Sequence, residues 1–330
     1  MPTVPAEVLG EAIERVLTAA GTPAPAARVV AGSLVLSNLK GLDSHGLVRV
    51  AQYVDEIEQG LTLPAEEPSI SRANGRVHVD GGWCFGMVAA IEAARIAAEE
   101  ARARGIALVT VANVRHVGRL GETVERAAAE GVFALAFCNA NGRVAPFGGR
   151  APILGTNPIA YAIPTGTGRP IVADFSTAVT AEGRVRLMLQ QSERVPPGWL
   201  IDAGGNPTDD PAALYEGGAL LPTGGHKGFA LGLLVEILGG VVAGAGCASL
   251  GAEPGNGLVL IALYPVPSGV DEVADAVRAV PPAPGVERVL LPGDPEAQTE
   301  ERRRREGIPV PEATWEEFAA VAARYGVAVT

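Results

Sequence analysis

The chain has 330 residues, enough for one large unit or two interlocked domains with a substantial core. Its formal net charge of -11 argues against a broad nucleic-acid surface, but a local pair of arginines can still hold a small anion. The most apolar stretch, 229 to 242, is interrupted by Glu236 and glycines and is too short for a membrane span, so it reads as a buried helix.

Val8, Leu9, Ile13, Val16 and Leu17 recur at helical spacing and predict a first helix over 5 to 21, stopped by Gly21. A second helix spans 25 to 38. Gly41 breaks the chain, and Asp43 or Ser44 is then placed to cap a third helix running to 59. On that reading His45 sits in a first turn, with Arg49 four residues on and on the same face. Residues 1 to 75 are thus expected to form a helical N-terminal domain. Next come a short strand at 76 to 79, a helix at 83 to 104 closed by Gly105, and a strand at 106 to 111. A helix at 119 to 130 and a strand at 132 to 138 follow. This alternation predicts a mixed α/β domain over 76 to 265, without showing that its strands are parallel.

Residues 139 to 157 are rich in glycine and asparagine, which permit tight turns and close backbone approach to a ligand. Strands are expected at 159 to 163 and 171 to 174. Residues 193 to 225 are mostly turn signals, and a loop of that length is often functional. Gly224-Gly225-His226-Lys227-Gly228 opens the apolar helix, and a strand follows at 258 to 263. A helix at 269 to 279, a strand at 287 to 291 and helices at 295 to 306 and 312 to 325 complete the chain. This C-terminal region, 266 to 330, is expected to pack back on the helical domain. Cys84, Cys138 and Cys247 are isolated in apolar surroundings and read as buried free thiols. With no secretion signal at the start, they suggest a cytoplasmic protein.

Only four histidines are present, and two stand beside glycine and arginine: His45 in Gly41-Leu42-Asp43-Ser44-His45-Gly46, and His116 in Val114-Arg115-His116-Val117-Gly118-Arg119. His116 is the candidate general acid or base, since imidazole titrates near working pH and its loop leaves room for substrate. The competing reading is an ordinary loop histidine. His45 and Arg49 can together hold a carboxylate. Against this stands helix-end packing with a salt bridge to Asp43 or Glu56. No His-Glu-x-x-His motif or close cysteine pair suggests a metal. No Gly-x-Gly-x-x-Gly follows an early strand. The residues alone support an enzyme with a small anionic substrate and stop short of a dinucleotide.

The stretches Ser37-Asn38-Leu39-Lys40-Gly41-Leu42-Asp43-Ser44-His45-Gly46, His116-Val117-Gly118 with Gly121, and Gly155-Thr156-Asn157-Pro158 form part of a wider pattern. Asp174-Phe175-Ser176-Thr177, Pro197-Gly198-Trp199, Gly224-Gly225-His226-Lys227-Gly228 and Leu291-Pro292-Gly293-Asp294 complete it. In these, and in their order, the chain resembles the malate/L-lactate dehydrogenase family, unrelated to the Rossmann-fold lactate and malate dehydrogenases. The form at 116 to 121 looks most like the hydroxycarboxylate dehydrogenase branch. The resemblance implies a non-Rossmann cofactor-binding domain within a mixed α/β fold, with helical N-terminal and C-terminal regions. It implies NAD or NADP as cofactor, a small anionic 2-oxo or 2-hydroxy acid as substrate, a homodimer, and no metal, nucleic acid or membrane partner.

By the same resemblance His116 is the catalytic histidine, with His45 and Asp43 beside it. Ser44, His45, Arg49 and Asn141 contact substrate. Asp174, Ser176, Thr177, His226, Lys227, Arg303 and Arg304 surround the cofactor. Two residues depart from the family pattern, Asn141 after Asn139-Ala140, and Arg184 where relatives commonly carry lysine. Some relatives reduce cyclic imines or oxidise ureidoglycolate, so those activities are the enzymatic alternatives. A small-anion binding protein without catalysis is the alternative of another class.

Overall fold

The computed structural model describes residues 2–251, 255–266 and 268–329. A short strand β1 (Thr3–Val4) leads into α1 (Ala6–Ala19) and α2 (Ala24–Leu39). Leu9, Ile13, Val16 and Leu17 line one buried face of α1, as their spacing requires. The third helix departs from expectation. Asp43–His45 form a single 3₁₀ turn, and α3 (Arg49–Glu58) begins only at Arg49, with no side-chain cap from Asp43 or Ser44. The cause is Asn38. Its Oδ1 accepts the Leu47 N–H at 2.8 Å, and a Cβ on Gly46 would come within 2.2 Å of that oxygen. The chain therefore turns at Gly46, and His45 and Arg49 do not share a helix.

An unexpected strand, β2 (Ser69–Ala73), pairs with β3 (Arg76–Cys84), which runs on through Asp80-Gly81-Gly82 instead of ending there. Gly81 permits this because a Cβ would lie 2.2 Å from a Val114 methyl. Consequently α4 (Gly86–Arg104) starts three residues later than its alanine pattern suggests, and it ends at Gly105 with φ +85°. Then follow β4 (Ile106–Val114), α5 (Leu120–Ala129), β5 (Phe133–Cys138), β6 (Ile159–Ile163) and β7 (Ile171–Phe175). The sequence pattern does not announce α6 (Glu182–Gln190). The segment rich in turn signals holds a small sheet of β8 (Leu200–Ile201), β9 (Pro207–Thr208) and β10 (Ala219–Leu220).

The apolar helix is α7 (His226–Glu236), continued by a wider π turn over Ile237–Val242. After it come β11 (Asn256–Leu263), α8 (Val270–Arg278), α9 (Asp294–Glu306), β12 (Ile308–Pro309) and α10 (Glu312–Arg324). No strand forms at 287 to 291. There the Leu291 N–H donates to the Asp294 side chain, and that local bond starts α9 instead of a ladder.

The main sheet has the order β2-β3-β4-β11-β5-β6-β7, with β3 and β4 the parallel pair and every other neighbour antiparallel. α4 and α5 cover one face and bury alanines and valines against β4, β5, β6 and β11. α7 and its π turn lie on the other face, over Phe137, Ile159 and Val259. A second core joins α1, α2 and α3 to Ile308, Val310 and Phe318, and β1 pairs with β12, so the two ends of the described chain meet. Phe85 and Met87, at the turn from β3 into α4, belong to this helical core.

Gly86 makes the closest approach at that junction. A Cβ there would lie 2.2 Å from the Arg115 carbonyl oxygen and 2.8 Å from the His116 carbonyl carbon. Gly86→Ala is expected to destabilise the protein by about 1–3 kcal/mol, as overpacking of a tight contact does. Urea unfolding should show a lower midpoint at unchanged slope. A wild-type midpoint would show that the His116 backbone is not held by this contact.

Candidate active site

His116 follows β4 in a loop pinned on both sides. The Arg115 N–H donates to Cys84 O at 3.1 Å, and the Val117 N–H to Asn256 Oδ1 at 3.0 Å. The loop thus hangs between the ends of β3 and β11. His45 stacks on His116, with ring centroids 5.7 Å apart and 22° between planes. Each ring has its Nδ1 engaged: His116 shares a hydrogen bond of 2.7 Å with Tyr53 Oη, and His45 one of 2.9 Å with Ser44 Oγ. This leaves the Nε2 atoms as the nitrogens available for chemistry.

Arg49 is buried and held along its length. Its Nε donates to Ser44 O at 2.8 Å and its Nη1 to Gln52 Oε1 at 2.8 Å. Gln52 is fixed in turn by Glu56, at 2.8 Å. The remaining Nη2 lies 3.9 Å from Glu182 Oε2, a loose contact that leaves it able to take an anion. Glu182 is drawn the other way by Arg186 at 3.0 Å and by the Tyr215 hydroxyl at 2.9 Å. His45, His116, Arg49, Gln52, Glu182 and Arg186 line a cavity of about 400 Å³, with Asn141 and Thr156 on its wall, a size suited to a small ligand.

The electrostatics follow from enclosure. Burial, with Arg49 and Arg119 nearby, pushes the His45 imidazole down to about 3, and Glu182 opposes this. Burial, then Arg49 and His45, hold His116 well below the ordinary histidine value. Burial pushes the Tyr53 hydroxyl upward, so it stays protonated. A hydroxyl both donates and accepts, so it can support the His116 ring in either protonation state. Both histidines are accordingly neutral near pH 7 in the free protein.

The other expected site residues separate into groups. Asp43 does not face His45. Both of its oxygens are held by Arg303, at 2.7 and 3.1 Å, and one also accepts from Asn38 at 2.7 Å. Ser44 is the residue that orients His45. Arg304 pairs with Glu300 at 2.6 Å on an exposed face. Asp174 accepts the Gly121 N–H at 2.6 Å at the start of α5, and its carboxyl is raised to about 6 by burial, against the pull of that N–H and Arg119. Thr177 Oγ1 donates to Thr156 O at 3.1 Å, and Ser176 Oγ to the same oxygen at 2.9 Å. They thereby tie the cavity wall to Thr223, whose N–H donates to Thr177 O at 2.9 Å just before α7.

His226 and Lys227 begin α7, exposed, and no side chain caps its first-turn N–H groups. Arg184 stacks on Trp199, 5.1 Å from the ring centroid, and Arg115 on Trp83 at 4.7 Å. Tyr53, Gln52, Glu182, Arg186 and Asn256 are site residues that the sequence pattern does not single out. Spacing carries a signal for two of them: Tyr53 is four residues after Arg49, and Arg186 four after Glu182. Among the described residues no three His, Cys, Asp or Glu side chains cluster to hold a metal, and no helix is long and apolar enough to cross a membrane.

A neutral histidine supported by a tyrosine, beside an anchored arginine in a small cavity, is an arrangement able to exchange a proton with a bound organic anion. Residues 4–319 match the malate/L-lactate dehydrogenase sequence profile, and the chain belongs to that family of oxidoreductases. It is 34% identical to hydroxycarboxylate dehydrogenase B of Escherichia coli K12, over 98% of this chain and 94% of that one. It is also 34% identical to the delta(1)-pyrroline-2-carboxylate/delta(1)-piperideine-2-carboxylate reductase of Pseudomonas putida, over 94% of both chains. The crystal structure of malate dehydrogenase from Entamoeba histolytica superposes with a TM-score of 0.92 at 30% identity, covering 99% of each chain. The family thus includes both hydroxy-acid dehydrogenases and imine reductases.

The depressed His45 pKa has a consequence for stability. A group that binds fewer protons folded than unfolded makes stability rise with pH between its two pKa values. The His45 contribution is therefore complete above about 6.5 and is lost as pH falls toward 3. Asp174, raised from 3.8 to about 6, has the opposite slope, losing stability as pH rises through that range. The comparison must then be between variants. Between pH 7 and pH 4.5, His45→Gln should lose less unfolding free energy than wild type. Equal losses in chemical denaturation would contradict a neutral, enclosed His45.

Proposed function

We propose that the protein is a nicotinamide-dependent oxidoreductase that interconverts a small 2-hydroxy acid and its 2-oxo acid. The observation that carries this reading is the tyrosine-supported His116 beside the anchored Arg49 in one cavity. NAD or NADP, when bound, supplies or accepts the hydride at substrate C2. The uncapped first turn of α7 with Lys227 and His226 fits such a group, because free N–H groups and a lysine suit phosphate oxygens. Ser176 and Thr177, bonded to the cavity residue Thr156, and Asp174 just before them in the chain are candidates for the remaining contacts.

Arg49 Nη2 binds the substrate carboxylate and fixes the face of C2 presented. His116 Nε2 exchanges the proton of the C2 oxygen. In oxidation the neutral ring found in the free protein accepts the hydroxyl proton. In reduction the bound carboxylate offsets the field of Arg49, which raises the ring's proton affinity and lets it act as donor. Stacked on His116, His45 limits where the substrate oxygen can sit. The cavity wall combines charged and amide side chains with Leu61, Ala140 and Ala181.

We also infer a homodimer. Leu233, Leu234, Ile237 and Val241 are 42, 45, 45 and 62% exposed along α7 and its π turn, an apolar strip that a second copy would cover. Sedimentation should report two chains per particle, and a monomer at micromolar concentration would remove this inference. The buried free thiols of Cys84, Cys138 and Cys247 suit a cytoplasmic setting.

His116→Asn should fold normally and lower kcat by about 10²–10⁴, the usual contribution of a positioned proton-transfer group. Tyr53→Phe should cost less, about tenfold, and move the pH profile of kcat/KM, because the ring remains but loses its support. Near wild-type turnover in His116→Asn, with the chemical step shown to limit the rate, would remove His116 from the mechanism.

A further inference from the structure

We propose that Arg186, braced by Glu182 and Tyr215, binds a second anionic group on the substrate, so that the enzyme prefers 2-oxo and 2-hydroxy acids carrying two negative charges. The inference rests on the hydroxy-acid reading above and specifies it. Its basis is the placement of α6. Gly183, in the first turn of that helix, lies so close to the carboxylate anchor that a Cβ there would be 2.9 Å from Arg49 Nη2 and 3.0 Å from Ser44 Cβ. The distance from Arg49 to the α6 face is therefore set by backbone contact. Glu182 and Arg186, one turn apart on that helix, face the same cavity as His45 and His116.

Glu182 acts here as a brace. One of its oxygens accepts from Arg186 Nη2 at 3.0 Å and from the Tyr215 hydroxyl at 2.9 Å, and its other oxygen stays 3.9 Å from Arg49. Arg186 is thus aimed, and Glu182 is kept from closing on the anchor. Arg143 lies over the Tyr215 ring, 5.9 Å from its centroid, and puts a second guanidinium on the same wall.

Charge supports the same conclusion. Four arginines and two glutamates line the cavity among the described residues, in a chain whose net charge is -11. One substrate carboxylate leaves that local excess half-compensated, and a dianion balances it. After burial and nearer groups, the charge of Arg186 also lowers the proton affinity of Arg49 and of His116, in keeping with its place on the shared cavity lining.

The test compares oxaloacetate with pyruvate, which share the reacting centre and differ in the distal carboxylate, each with NADH and with NADPH. Wild type should favour oxaloacetate by about a hundredfold or more in kcat/KM. In Arg186→Leu that ratio should fall at least about tenfold, mainly through a higher KM for oxaloacetate, and Arg186→Lys should recover part of it. Removing Arg186 alone could release Glu182 onto Arg49. Glu182→Gln combined with Arg186→Leu excludes that cause and should show the same collapse. An unchanged ratio in the single and double variants, or equal wild-type rates on the two acids, overturns the role of Arg186 while leaving hydroxy-acid chemistry standing. Failure of wild type to reduce any 2-oxo acid with either nicotinamide overturns the parent reading and this inference together.

Discussion

The hydrogen bond between Tyr53 Oη and His116 Nδ1, 2.7 Å long, crosses the seam between two apolar cores. Tyr53 belongs to the helical core formed by both ends of the chain, whereas His116 hangs from the end of β4 beside the sheet core. Neither core contains the site. It exists because Phe85 and Met87 carry the β3–α4 junction into the helical core, and because Gly86 lets the His116 backbone lie directly on that junction. Interiors pack closely enough that such a seam transmits position, so two rings from distant segments can be held in stacking contact.

The seam is closed on its other side by polar tethers. Arg303, near the end of α9, grips both oxygens of Asp43, and Asn38 holds Asp43 and the Leu47 N–H together. Paired, hydrogen-bonded charges of this kind set geometry more than they add net stability. Their effect is to fix the 3₁₀ turn that presents Ser44 and His45. Glu125 plays a parallel part, bridging Lys40 of the helical region to Arg119 beside α5. The acidic surface of the chain and the arginine-rich cavity are thus compatible. Long-range repulsion of an anion is modest across water, while local guanidinium groups in a recess dominate once the anion arrives.

Enclosure lowers the proton affinity of both histidines and keeps them neutral near pH 7 in the free protein. On the proposed reading, a bound anion offsets the field of Arg49 and raises that affinity, which would couple binding to protonation. The turn carrying Tyr215 packs between α6 and the small sheet of β8, β9 and β10, behind the cavity lining. The long segment of turn signals thus has a structural part: it holds Tyr215 against Glu182 on α6.

Much of this was legible in the amino-acid order. Amphipathic spacing determined α1, apolar residues spread around its circumference marked α2 as a buried helix, glycine positions closed α4 and α5, and the scarcity of histidine, four in the chain, drew attention to His45 and His116 as candidates. Family resemblance supplied the class. Local pattern could not reveal the Asn38 contact that breaks the third helix at Gly46, nor the Val114 contact that carries β3 through two glycines. It could not distinguish Asp43 beside a histidine from Asp43 clamped by an arginine 260 residues away. Glu182, Arg186 and Tyr215 look like ordinary surface residues in one dimension. Helical spacing can place Glu182 beside Arg186, but only tertiary packing brings that pair to Arg49 and Tyr215, because contacts between distant segments are decided by how the two cores meet and not by the spacing within either.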